Sequence, residues 1–138
     1  MSVGAFQVEK ETKRILLSIL ETIREHETHY PVPRLADRID SVTQDVHRPE
    51  STAIGPHLLS ILKILREQLN HNPVPGLSDS LDRITGELDR PESFTIEHHL
   101  LSILEIMKNQ QSRYPTTGLA DRIRRIAKEV RTPESPST

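Results

Sequence analysis

Three serines recur at one position of a repeated pentapeptide, and they are the best-placed hydroxyl nucleophiles in the chain. Ser18, Ser60 and Ser102 each stand inside the sequence Leu-Leu-Ser-Ile-Leu. A serine nucleophile needs a base to take its proton, and no histidine follows any of these serines by three or four residues. A small hydroxyl within an apolar helix more commonly bonds a backbone carbonyl or lets a neighbouring helix approach. We therefore predict a structural role for the serines and no catalytic residue.

Histidines are the residues with the chemistry of metal ligands. His98 and His99 are adjacent and follow Glu97, and His57 precedes its own pentapeptide directly, as His99 does. Adjacent residues on a helix point about 100° apart, so we expect that His98 and His99 cannot easily hold one ion together. His57 and His99 could meet only if their helices stack, and Ile15 occupies the equivalent position nearer the N-terminus. The pattern favours packing positions, with no metal and no cofactor, and leaves any further role of these histidines open.

A basic stripe on the last predicted helix is the strongest charge asymmetry. Arg124, Lys128 and Arg131 follow one another at i, i+4 and i+7 and so share one helix face. When the chain is aligned on the three pentapeptides, the equivalent positions are neutral or acidic: Asp40, Gln44, His47, Asp82, Gly86 and Asp89. This stripe is either the solvated face of a terminal helix or a docking surface for something acidic.

A threefold repeat must position all of these residues. Leu-Leu-Ser-Ile-Leu begins at Leu16, Leu58 and Leu100, so the two spacings are equal. The units are 7–48, 49–90 and 91–132, without insertion or deletion between them. Residues 1–132 are predicted to form a single domain, and 133–138 a disordered tail.

Each unit is predicted to be a helical hairpin. The first helix, helix A, covers roughly 11–28, 56–70 and 96–112, and its apolar face is too broad for one neighbour. The second, helix B, covers roughly 34–46, 76–88 and 118–130, with apolar residues at offsets 0, 4, 7 and 11 on one narrow stripe. The predicted fold is therefore all-α: three tandem 42-residue hairpins, six helices in all, with the A helices inside. A short α-solenoid and a closed helical bundle fit the pattern equally.

Composition excludes several classes of function. The chain has 138 residues, a net charge of -2 and no cysteine. A near-neutral balance gives no global attraction to nucleic acid or to an anionic membrane, and without cysteine there is no disulfide or thiolate metal site. No apolar run is long enough to span a bilayer, and the N-terminus lacks the features of a signal peptide. We expect a cytoplasmic protein that does not bind membranes.

The leading hypothesis is a non-enzymatic module for protein–protein interaction: an adaptor, a scaffold subunit or an inhibitor of a larger complex. The alternative is a nucleic-acid-binding regulator that uses the basic stripe. Residues 15–39 loosely resemble the opening helices of a winged helix-turn-helix, but a proline follows helix B where a recognition helix should begin. A histidine-based metal-binding protein or enzyme ranks third.

Self-association is also expected. An open stack of three hairpins leaves an apolar face at each end, and the last helix A keeps the apolar pentapeptide of the internal one. We therefore predict a homo-oligomer or an obligate partner. The charges suggest one geometry, in which the basic stripe of one chain faces acidic residues of another. Its tentative binding residues are Arg124, Lys128, Arg131, Asp40, Asp82 and Asp89.

Overall fold

Helices account for nearly all of the residues that the structure describes. The computed structural model describes residues 3–48, 54–90 and 95–131, with side chains from residue 11 onward. This part of the chain is all-helical, with six helices and no strand, as predicted. The predicted tail 133–138 lies outside the described residues. The helices are α1 (Val3–His29), α2 (Leu35–His47), α3 (Ile54–His71), α4 (Leu77–Leu88), α5 (Ile96–Arg113) and α6 (Leu119–Arg131).

The predicted helix ends are confirmed to within two residues, except at the start of α1. That helix begins at Val3, well before the predicted start at residue 11. Residues 3–10 contain no proline, so nothing in them interrupts the helix that the apolar pattern defines further along. Helices α1, α3 and α5 stop one residue before Tyr30-Pro, Asn72-Pro and Tyr114-Pro, because a residue that precedes proline avoids the helical conformation.

A tight turn with one positive φ joins helix A to helix B in each hairpin. The amide of Leu35 donates to the carbonyl of Val32 over 3.1 Å, and the equivalent bond recurs in the other two hairpins. The third residue of the turn is left-handed in each: Arg34 at φ 69°, Gly76 at 85° and Gly118 at 82°. A proline or threonine followed by a positive φ is the geometry of a type II turn, which favours glycine at the third position. Arg34 is the exception.

Burial follows the predicted stripes. Helix B buries one narrow stripe, and of the twelve predicted apolar residues only Leu88 is half-buried. Helix A is buried more broadly, since Leu62 and Ile64 in α3 are both buried although they lie about 160° apart around the helix axis. The buried apolar side chains of all six helices form one continuous cluster. The second leucine of the pentapeptide lies at its edge, where Leu59 is one of two exposed large apolar side chains among the described residues.

Contacts between helices run in a closed series. Each helix packs against the next along the chain, and α6 packs against α1. In an open solenoid the first and last helices would lie at opposite ends, so the α1–α6 contact is the one expected of a closed bundle. This contact joins the first and last helices, whose exposure in an open stack was the ground for the predicted self-association.

One ion pair at the α6–α1 contact repeats a pair at the α2–α3 contact. Arg38 of α2 lies 3.9 Å from Glu67 of α3, and Arg122 of α6 lies 3.8 Å from Glu25 of α1. Arg122 has the same place in the third unit as Arg38 has in the first, and Glu25 and Glu67 are likewise equivalent. Both pairs therefore join the same two positions of the repeat, and the contact between α6 and α1 has the side-chain register of the α2–α3 contact.

Tyrosine hydrogen bonds show the same register at the turns. The Tyr30 hydroxyl donates to the Pro115 carbonyl over 2.8 Å, and the Tyr114 hydroxyl donates to the Pro73 carbonyl over 3.0 Å. Tyr114 of the third hairpin thus contacts the turn region of the second, and Tyr30 of the first hairpin contacts that of the third. The two rings also meet edge to face, with centroids 5.5 Å apart.

No helix in the described part of the chain has the length and apolar character needed to cross a membrane.

Replacement of Arg34 by glycine should stabilise the protein. A left-handed residue with a Cβ costs about 1–2 kcal/mol, and the greater freedom of glycine in the unfolded chain cancels part of the gain. We expect Arg34→Gly to raise the free energy of unfolding by about 0.5–1 kcal/mol, measured by urea denaturation. The matched control is Gly118→Arg, which should be destabilising although the space around a Cβ at Gly118 is open. Equal stability of all three proteins would show that this turn carries no backbone strain.

Candidate functional site

The basic stripe lies on the outer surface of α6. Arg124, Lys128 and Arg131 are exposed, on the side opposite the stripe of α6 that is buried in the core. Together with Arg125 and Asp121 they line a shallow surface groove. The Arg124 guanidinium donates to the Asp121 carboxylate over 3.0 Å within the same helix, and both side chains are more than 70% exposed. An exposed pair of this kind contributes little stability and exchanges readily for another carboxylate.

The cationic surface arises where a repeated ion pair is broken. In the first hairpin Arg24 of α1 pairs with Asp40 of α2, and in the second Arg66 of α3 pairs with Asp82 of α4. Both pairs have the same sequence separation and occupy the same positions of the repeat. In the third hairpin those positions hold two cations, Lys108 of α5 and Arg124 of α6. A carboxylate from another molecule could supply the missing negative charge.

The three aspartates that were predicted to bind the basic stripe of a second chain differ in their contacts. Asp40 and Asp82 bind arginines of their own hairpins. Asp89 follows α4 as its C-terminal cap and is exposed. Arg24, Arg66 and Lys108 were not among the predicted site residues, although an alignment of the three units reveals them. At these two positions the first and second units have arginine and aspartate, and the third unit has lysine and arginine.

A second irregularity lies between α4 and α5. The positions of the Arg38–Glu67 and Arg122–Glu25 pairs are occupied here by Ser80 and Asn109. These shorter side chains line an open groove, together with the turn 74–77 and with Ser112 and Arg113. The α4–α5 contact is thus less tightly closed at this end than the two contacts that carry ion pairs.

At the other end of the same contact, α4 brings a carboxylate to the adjacent histidines of α5. The His98 ring nitrogen Nε2 lies 2.8 Å from Glu87 Oε1, and ligand atoms of Glu87, His98 and His99 all lie within 4.8 Å of one another. Burial lowers the pKa of His99, and the neighbouring His98 acts in the same direction. The two adjacent histidines, which we did not expect to hold one ion together easily, thus have ligand atoms close to each other and to a carboxylate on another helix. His57 is buried but is not part of this cluster.

Two of the repeated serines have a histidine three residues before them, on the side that the prediction left out of account. His57 precedes Ser60, and His99 precedes Ser102. The carbonyl of Ser18 accepts a bond from the Thr22 hydroxyl over 2.8 Å, which is an ordinary contact within a helix.

A buried polar chain links the ends of the three A helices. The Gln110 side chain donates to Gln68 over 3.1 Å, and Gln68 donates to Glu27 over 3.4 Å. The other Glu27 oxygen accepts the backbone amide of Val32 over 2.5 Å. Each of these polar side chains thus has a partner inside the core, which is the condition for burying it at low cost.

His26 belongs to this buried region and has an altered titration. Its Nδ1 lies 2.8 Å from the Gln111 side-chain amide, and its ring stacks on Tyr30. Burial lowers the pKa of His26 from 6.5 to about 4, and the nearby His29 contributes in the same direction. The equivalent positions in the other hairpins hold Gln68 and Gln110, so the fold does not require a titratable group there.

Comparison of the chain with protein-family models, with curated proteins and with solved structures yields no match.

His26 should make stability fall in mild acid. Its folded pKa lies below its unfolded pKa, so the unfolded state takes up a proton first. The stabilisation is complete above about pH 6.5 and is lost as the pH falls towards about 4. We expect the free energy of unfolding, measured by urea denaturation, to fall between pH 7 and pH 5 by about 2 kcal/mol less in His26→Gln than in the wild type. Identical losses in the two proteins would mean that His26 titrates normally.

Proposed function

We propose that the chain is a non-enzymatic protein-interaction module in which three helical hairpins close into a ring. We propose further that it binds an acidic segment of a partner protein through one surface, here called the basic face. The basic face consists of Lys108, Arg124, Arg125, Lys128 and Arg131. The closed series of helix contacts supports the ring, and the repeated register of the ion pairs at α2–α3 and α6–α1 supports the equivalence of the three hairpins.

The broken ion pair of the third hairpin carries the functional proposal. Two hairpins satisfy an arginine on helix A with an aspartate on helix B, so this geometry is compatible with the fold. The third hairpin places Lys108 and Arg124 at the same positions, and the carboxylate that Arg124 does contact, Asp121, is an exposed neighbour on α6. Like charges at neighbouring positions destabilise the hairpin slightly, and an incoming carboxylate would remove that repulsion.

A protein partner fits this surface better than nucleic acid does. The basic face covers one helix and a single lysine of another, and the chain as a whole has a net charge of -2. Nonspecific binding to a phosphate backbone depends on many cations distributed over a broad surface. A short run of Asp or Glu in a protein presents fewer charges and matches the size of the surface.

The contacts of this chain's acidic residues favour a partner that is not a second copy of the chain. Asp40 and Asp82 already bind Arg24 and Arg66, so the basic face of another copy would have to displace them. The packing of α6 on α1 also covers the ends that an open stack would expose. Self-association therefore becomes one outcome of the test below.

The variant Arg124→Asp separates binding from folding. It gives the third hairpin the Lys–Asp counterpart of the pairs in the first two, so the fold should be retained with equal or slightly greater stability. The matched control is Lys63→Glu, which alters the net charge equally on an exposed position of α3. Its counterparts in the other hairpins are Glu21 and Glu105.

The measurement is quantitative affinity capture from the source lysate at low and high salt, with both variants and the wild type. We expect one stoichiometric protein, retained by wild type and Lys63→Glu and lost with Arg124→Asp, and its binding site should be an acidic segment. Equal capture by all three proteins would contradict a role for the basic face. Nuclease-sensitive capture, or a dimer by light scattering that Arg124→Asp dissociates, would favour nucleic acid or a second copy instead.

A further inference from the structure

The cluster between α4 and α5 has the composition and geometry of a transition-metal site. We propose that Glu87, His98 and His99 bind one zinc ion, with Glu87 contributed by α4 and both imidazoles by α5. This proposal is independent of the basic face, which lies on α5 and α6, and either can fail without the other.

The three side chains already converge from two helices. Their ligand atoms lie within 4.8 Å of one another, a spread that small rotamer adjustments bring to the separation of ligands around a tetrahedral ion. His98 Nε2 and Glu87 Oε1 are 2.8 Å apart, and the two histidine rings have centroids 5.5 Å apart. Zinc would replace the direct His98–Glu87 contact with two bonds to the metal.

The surroundings fix these groups without closing the site. The Thr95 hydroxyl accepts the backbone amide of His98 over 3.1 Å, so the first turn of α5 is held by an N-terminal cap. The side chain of Glu87 is 15% exposed and that of His98 is 38% exposed, while His99 is buried. One side therefore faces solvent, where water or a ligand from another molecule can complete the coordination.

Two imidazoles and one carboxylate are a ligand set that occurs at zinc sites. Histidine nitrogen and glutamate oxygen suit zinc, and three protein ligands with one open position are typical of its exchangeable sites. Calcium and magnesium prefer oxygen ligands, which this cluster lacks apart from Glu87. The second oxygen of Glu87 lies 3.6 Å from Arg83, which orients the carboxylate.

The repeat shows that packing does not require this combination. At the α6–α1 contact the equivalent positions hold Glu129, Arg14 and Ile15, and Arg14 lies 3.5 Å from Glu129. At α2–α3 the positions hold Asp45, Pro56 and His57. The same backbone arrangement thus accepts an arginine and an isoleucine in place of the two histidines. Only the α4–α5 contact, among the three, combines a carboxylate with two imidazoles.

The experiment is a titration of the protein, free of any purification tag, with Zn²⁺ in a calorimeter and with Co²⁺ in a spectrophotometer. Wild type should bind one equivalent of Zn²⁺, and Co²⁺ should give the intense visible absorption of a four-coordinate ion. Zinc should also raise the melting temperature, because the ion binds the folded state. Binding should weaken as the pH falls and protons compete for the imidazoles.

The double variant His98→Arg with His99→Ile is the sharpest test, because it reproduces the residues of the α6–α1 contact. It should fold, as judged by circular dichroism, and should lose both the equivalent of Zn²⁺ and the Co²⁺ absorption. Glu87→Gln should also lose them, whereas His57→Ile, a matched change of a buried histidine, should retain them. Absence of binding in wild type, or binding that survives the double variant, would overturn the proposal.

Discussion

The breadth of the apolar face on helix A is the constraint from which the architecture follows. A hairpin offers this face only one narrow partner, the buried stripe of its own helix B. The remaining apolar surface must be covered by neighbouring hairpins, since burial of one large aliphatic side chain contributes about 1.5–3 kcal/mol. Without a second chain or a capping segment, three hairpins cover this surface at both ends if the last packs on the first, and α6 does pack on α1. The fully buried side chains of α1, α3 and α5 are the result of this packing.

The candidate sites arise where the three units differ. Surface ion pairs recur between and within hairpins, and each contributes little stability, so their positions can change without loss of the fold. The third hairpin replaces an Arg–Asp pair with Lys108 and Arg124, and the α4–α5 contact replaces an ion pair with a glutamate and histidines. Both proposals therefore concern positions at which the fold tolerates variation.

Much of the secondary structure could be predicted from the sequence. Prolines end the A helices, and offsets of 0, 4, 7 and 11 identify the buried stripe of each helix B. Periodicity fixes where a side chain points relative to its own helix axis, but not how that helix is rotated against a neighbour. For this reason the approach of Glu87 to His98 and His99 was missed, and the open and closed arrangements could not be distinguished. The pairing of Arg24 with Asp40 was missed for a different reason, because the three units were compared at this point only on helix B and not on helix A.

Crosslinking of α1 to α6 tests the closed ring most directly. The chain has no cysteine, so Arg14→Cys with Glu129→Cys places two unique thiols at side chains that lie 3.5 Å apart. Glu87→Cys with His98→Cys is the positive control at equivalent positions of α4 and α5, and Arg14→Cys with Glu87→Cys is the negative control. A short bismaleimide should link Arg14→Cys to Glu129→Cys within one chain, as efficiently as the positive control and independently of protein concentration. Failure to link them, or links formed only between chains, would contradict the closed ring.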